Sequence, residues 1–103
     1  MQLVVMISSR MGSIGDTTSG GSMIYRSSKT ALNMAMRCLA LETKARGLTT
    51  VSVHPGWVRT DMGGREATLT AHESVSAMRD LFFQLRTSDS GKFYNYDGTE
   101  LPW

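Results

Sequence analysis

An alternation constrains this chain more than any other feature: short apolar or β-branched runs are separated by stretches long enough to hold a helix. Residues 2–8 (QLVVMIS) form a nearly continuous apolar run, the pattern of a strand buried on both faces of a parallel sheet. Residues 9–22 are rich in Gly, Ser and Thr and read as loop. From about residue 23 to 46 the chain is rich in helix-forming residues and free of proline, and Gly47 stands where a C-terminal cap belongs. Residues 49–54 are strand-like and stop at Pro55-Gly56. After a loop over 57–69, most flexible at Gly63-Gly64, Thr70 and Glu73 have the spacing of a capping box. Ala71, Val75, Met78, Phe82 and Leu85 then recur at helical intervals. Residues 92–96 give a last strand, followed by the turn-like Asp97-Gly98.

Strand, helix, strand, helix, strand implies right-handed crossovers and a parallel α/β sheet. The expectation is a partial Rossmann-like, doubly wound sheet with three parallel strands and two helices. Two helices can hardly cover both faces of three strands, and the first strand has no evident partner on its outer side. The 103 residues therefore make either a minimal domain or part of a larger one.

Composition removes several classes of function. Eleven Lys and Arg against nine Asp and Glu leave a net charge of +2, scattered along the chain, which argues against nucleic acid as a partner. A single cysteine, Cys38, cannot close an internal disulfide, and with only His54 and His72 beside it no zinc-binding set appears. The longest apolar run, residues 3–7, is far too short for a membrane span or a signal-peptide core. The expectation is a cytoplasmic protein that engages neither membrane nor metal.

The chemistry-bearing residues gather where the alternation predicts the carboxyl edge of the sheet, the ligand-binding edge of open α/β folds. Ser9 directly follows the first strand, and Pro55, Gly56, Val58 and Thr60 follow the second. Tyr25 and Lys29 lie four apart near the start of the long helix and so share a face. A tyrosine is ordinarily a poor acid–base group at neutral pH, and a neighbouring ammonium favours its ionised form. Such pairs are often no more than helix-surface neighbours, so the spacing alone is a weak signal. A hydrolytic triad of Ser9 or Ser13 with His54 and Asp61 lacks the G-x-S-x-G elbow that would support it. Trp57 and Trp103 are better suited to packing than to substrate.

Taken together, the strand leading to Ser9-x-x-Gly12, the segment Tyr25-Arg26-Ser27-Ser28-Lys29, and Pro55-Gly56-x-Val58-x-Thr60 resemble the short-chain dehydrogenase/reductase family in order and approximate spacing. The Ser9-to-Tyr25 interval is longer than is common there. Its Ser19-Gly20-Gly21-Ser22 loop, with Ala31-Leu32-Asn33, HPGWVRTDM over 54–62 and Asn95-Tyr96-Asp97-Gly98-Thr99, is similar to the C-factor and sniffer-type carbonyl reductase branch.

The resemblance implies NAD(P)-dependent interconversion of a carbonyl compound and an alcohol, with NADP favoured over NAD and Tyr25 as the proton donor. Lys29 would hold the nicotinamide ribose and favour the ionised phenol of Tyr25, and Ser9 would hold the substrate oxygen. Pro55, Gly56, Val58 and Thr60 would hold the nicotinamide end. Residues 61–69 would form a mobile lid.

One departure matters as much. No G-x-G-x-x-G cradle for a pyrophosphate occurs, and neither does the family's Asn-Ala-Gly segment. Residues 1–103 thus read as the C-terminal portion of such a domain, beginning at its fifth strand and incomplete for activity alone. The alternative is a non-catalytic module, a homo-oligomer or family-member dimer pairing through the helix over about 23–46, with Met34, Met36, Cys38 and Leu41 as its surface.

Overall fold

The computed structural model describes residues 2–103. It contains β1 (Gln2–Ile7), α1 (Met23–Thr43), β2 (Leu48–His54), α2 (Ala71–Gln84) and β3 (Phe93–Asn95). The three strands pair in the order β1-β2-β3, all parallel, with Ile7 opposite Val53 and His54 opposite Asn95. The anticipated sheet, helices and crossovers are therefore present. Among the described residues no helix is long and apolar enough to cross a membrane.

β2 is the central strand, buried from Thr49 through Val53. Its alternation divides the interior in two. Val51 and Val53, with Tyr94 of β3, meet Met78, Leu81 and Leu85 from α2 and its end, and Leu3 and Val5 of β1 pack onto this cluster. Thr50, Ser52 and His54 point to the other face, beneath α1, whose inward residues are Asn33, Met36, Ala40 and Thr43.

Local chemistry explains the element ends. α1 runs through one 3-10 turn (Lys44–Arg46) and stops at Gly47, whose φ of +73° suits a residue without a Cβ. At the start of α2 both halves of the capping box form: the Glu73 amide donates to Thr70 Oγ1 at 3.1 Å, and the Thr70 amide to Glu73 Oε1 at 3.0 Å. Trp103 stacks on Phe93, ring centroids 5.7 Å apart, closing the end of the chain onto β3.

Three expectations are corrected. β1 is not buried on both faces: it is an edge strand, half-buried along its middle, with Ile7 50% exposed. The buried stripe of α2 is Ser74, Met78, Leu81 and then Leu85, because Ser74 Oγ donates to the Pro55 carbonyl at 2.6 Å and turns that face inward. Ala71 is exposed, and Val75 is 60% exposed. On α1, Met36 is fully buried against the sheet, whereas Met34, Cys38 and Leu41 are exposed.

Candidate active site

A cleft of about 870 Å³ opens at the carboxyl edge of the sheet. Ser9 and Tyr25 lie on one side of it and Pro55, Gly56, Val58 and Thr60 on the other, with Ala71, Val75 and Met78 of α2 completing the lining. Six of the seven residues singled out from the sequence thus reach one cavity. Lys29 is the seventh, and it does not line the cleft. It stands behind Tyr25, with Nζ 5.7 Å from the centre of the phenol ring and 3.4 Å from the Ile7 carbonyl oxygen, to which it donates.

The Ser9 side is held by a close approach of backbone. After β1 the chain makes one 3-10 turn, Arg10–Gly12, capped by Ser9. A Cβ at Gly12 would sit 2.9 Å from the Lys29 Cβ and 3.0 Å from its backbone carbon. Glycine is therefore what lets α1 press against the turn. Thr30 Oγ1 lies 2.9 Å from both the Gly12 and the Arg26 carbonyl oxygens, so its one O–H is shared between the turn and its own helix. This turn-to-helix seam fixes Ser9 and Tyr25 relative to one another. Thr30 was not singled out from the sequence; its only signal was its position beside Lys29.

The opposite side is built on Pro55-Gly56. Gly56 has a φ of +87°, and a Cβ there would overlap the Leu69 side chain and lie 2.9 Å from the Tyr96 ring. The loop that follows is tied at its base. The Arg59 amide donates to the Leu69 carbonyl (2.7 Å) and the Leu69 amide to the Trp57 carbonyl (3.0 Å). Trp57 Nε1 reaches the Gly63 carbonyl at 2.7 Å, so this indole braces the loop from an exposed position. The segment 61–69 thus rises from a fastened base, with Met62 91% exposed and Ala67 buried.

Two hydroxyls are oriented by the amides that donate to them. Ser9 Oγ accepts from the Met11 amide at 3.1 Å, and Thr60 Oγ1 from the Gly63 amide at 3.1 Å. An oxygen that accepts in this way keeps its own O–H as a donor for a ligand.

His54 is the one strongly perturbed titratable group of the cleft. Burial first, and then the positive charge of Arg10, hold its imidazole far below the ordinary value, at about 4. It is neutral at physiological pH, and its Nδ1 is buried without a partner.

Comparison with known proteins places this geometry. The family model for short chain dehydrogenases matches residues 3–70. The C-signal of Myxococcus xanthus is 48% identical over 103 residues, covering 100% of this chain and 62% of that relative. The carbonyl reductase Sniffer of D. melanogaster superposes with a TM-score of 0.94 at 42% identity, over 98% of this chain and 41% of its own. An NADPH-bound carbonyl reductase from chicken fatty liver gives a TM-score of 0.90 at 40% identity, over 98% and 42%. The chain spans less than two thirds of the length of each of these relatives.

Proposed function

The chain belongs to the short chain dehydrogenase family, and from that premise we propose that it serves NADP(H)-dependent reduction of a carbonyl compound to an alcohol, with Tyr25 as the proton donor. The observation that carries this is the convergence of Ser9, Tyr25, Pro55, Gly56, Val58 and Thr60 on one cleft at the ligand-binding edge of the sheet. Structural relatives described as carbonyl reductases, one of them NADPH-bound, support the same reading.

The residues present fit a nicotinamide. The side formed by Pro55, Gly56 and Val58 offers a surface for a flat ring, and the Thr60 O–H is free to donate to a carboxamide oxygen. When bound, the reduced cofactor supplies the hydride that goes to the carbonyl carbon. Ser9 donates its free O–H to the carbonyl oxygen and stabilises the negative charge that develops there. Tyr25 delivers its phenolic proton to that oxygen, completing the alcohol. The Lys29 ammonium, which donates to the Ile7 carbonyl and lies 5.7 Å from the centre of the phenol ring, would hold the nicotinamide ribose beside Tyr25.

No glycine-rich pyrophosphate cradle occurs in the sequence, so the 103-residue chain engages the nicotinamide end alone and is incomplete for turnover. Its reducing chemistry and its exposed free thiol at Cys38 both suit the cytoplasm. The test is a titration of the chain with reduced nicotinamide mononucleotide, followed by amide NMR. Shifts are expected at Ser9, Tyr25, Gly56, Val58 and Thr60, while NADPH at micromolar concentration gives no saturable fluorescence change. Shifts confined to other surfaces, or none, reject the reading.

A second reading draws on the outer face of α1, where Ile24, Met34 and Leu41 are 86%, 65% and 61% exposed. A helix with apolar residues on its outward face as well as its inward one suits pairing with a second copy or a family member, without catalysis.

A further inference from the structure

Each of the two residues placed nearest the reacting carbonyl is followed in the chain by an arginine: Ser9 by Arg10, and Tyr25 by Arg26. Both arginines line the same cleft. Neither belongs to an ion pair, since the salt bridges among the described residues both involve Lys92, with Asp89 and Glu100. Arg26 is held in place, its Nε donating to the Gly21 carbonyl at 2.7 Å, which fixes the plane of the guanidinium at the rim. Arg10 is exposed, yet its charge is felt inside the cleft, where it helps to keep His54 uncharged. A single carboxylate, Asp16, lines the same cavity. The rest of the lining is largely apolar, with Met11, Met62, Val75 and Met78 among it.

A neutral carbonyl compound needs the apolar lining and the Ser9 and Tyr25 hydroxyls, but it makes no use of two guanidiniums that line the same cleft without an ion-pair partner. Planar guanidinium groups match carboxylates, which accept paired N–H donors. Resting on the carbonyl-reduction reading, we propose that the substrates are aldehydes or ketones that also carry a carboxylate, bound at the cleft rim by Arg10 and Arg26. The apolar lining then takes the body of the molecule, and the arginines fix which end faces Tyr25.

The experiment compares para-carboxybenzaldehyde with its neutral methyl ester as ligands of the full chain, by NMR titration at low ionic strength. The carboxylate is expected to bind about fivefold more tightly, the preference one partly exposed ion pair supplies. The side-chain Nε–H signals of Arg10 and Arg26 should move with it, and added salt should erase the difference. Arg10→Gln should remove most of the preference, and Arg10→Lys should restore part of it. Lys44→Gln, exposed and remote from the cleft, should leave it unchanged.

Equal affinity for acid and ester overturns the proposal, as does failure of both to bind or a preference that survives Arg10→Gln combined with Arg26→Gln. It is also overturned if Arg10→Gln weakens reduced nicotinamide mononucleotide and leaves the carboxylate preference intact, because the arginine then serves the cofactor's phosphate. Loss of the carboxylate preference, with reduced nicotinamide mononucleotide still moving Gly56, Val58 and Thr60, rejects this proposal and spares the reductase reading. Loss of the mononucleotide response rejects that reading instead.

Discussion

The two faces of the sheet are made differently. Toward α2 the contacts are apolar: Val51, Val53 and Tyr94 against Met78, Leu81 and Leu85. Toward α1 the sheet presents Thr50, Ser52 and His54 together with the buried Phe93, flanked by Ser8 and Asn95 and faced by Asn33 and Met36, so polar and apolar groups are mixed there. Ser8 Oγ, both amide atoms of Asn33, Thr50 Oγ1, Ser52 Oγ, His54 Nδ1 and Asn95 Oδ1 are all buried without a protein partner. On the α2 side only Thr49 Oγ1 shares that condition. A buried polar group left unpaired costs about 1–3 kcal/mol. The difference teaches where stability and chemistry reside. The apolar face holds the molecule together, and the polar face, whose helix carries Tyr25 and Lys29, bears the cost of the site.

The sharpest way to break this comparison is to damage the apolar face. Leu81 is 6% exposed at the centre of the α2 cluster. Leu81→Ala should destabilise the chain by about 2–4 kcal/mol, the range for a buried leucine whose cavity closes incompletely. Urea unfolding followed by circular dichroism measures it. A loss below about 1 kcal/mol would mean that the α2 face is not the main source of stability.

Much of this division was invisible in the sequence, for reasons that can be named. Element order was legible, because turn residues and helix caps act locally: Gly47, Pro55-Gly56 and the Thr70–Glu73 box all stand where their chemistry puts them. The cleft residues were legible as types in an order. The face of α2 was not, because a distant acceptor, the Pro55 carbonyl, draws Ser74 inward and leaves Val75 outside. Thr50 and Ser52 read correctly as strand, but which face they meet depends on register with neighbouring strands. The position of Lys29 behind Tyr25 follows from the Gly12 approach, a tertiary contact with no local signature.

His54 gives an intermediate effect that belongs to the polar face alone. Its folded-state pKa of about 4 lies below the ordinary 6.5, so the unfolded chain binds more protons between these values. Stability is fully present above pH 6.5 and falls as pH drops toward 4. The His54 contribution should be about 1–2 kcal/mol after allowance for solvent screening. Carboxylates held below their usual range, such as Glu73 and Asp89, lose stability in the same direction but at lower pH. Comparing His54→Gln with the natural chain across the window isolates the imidazole: the variant's stability should be flatter with pH. Parallel curves would show that the imidazole does not sense its burial.

The smallest effect is the most discriminating, because the two descriptions of the polar face disagree about its sign. Thr50 is fully buried, and both of its backbone groups are already used. Its amide donates to Ser90 Oγ at 3.0 Å, and its carbonyl accepts from the Gly91 amide at 2.7 Å. Only the side-chain hydroxyl lacks a partner. Thr50→Val keeps the β-branched shape that a central strand favours and removes that hydroxyl. If the polar face carries an unpaid desolvation cost, the variant should match the natural chain or exceed it by up to about 1 kcal/mol. If instead an ordered water satisfies the hydroxyl, removing it strands that water, and the variant should lose about 1 kcal/mol. Thermal unfolding of the two proteins side by side reads the sign directly. A loss would move the contrast between the faces from dry against unsatisfied to dry against hydrated.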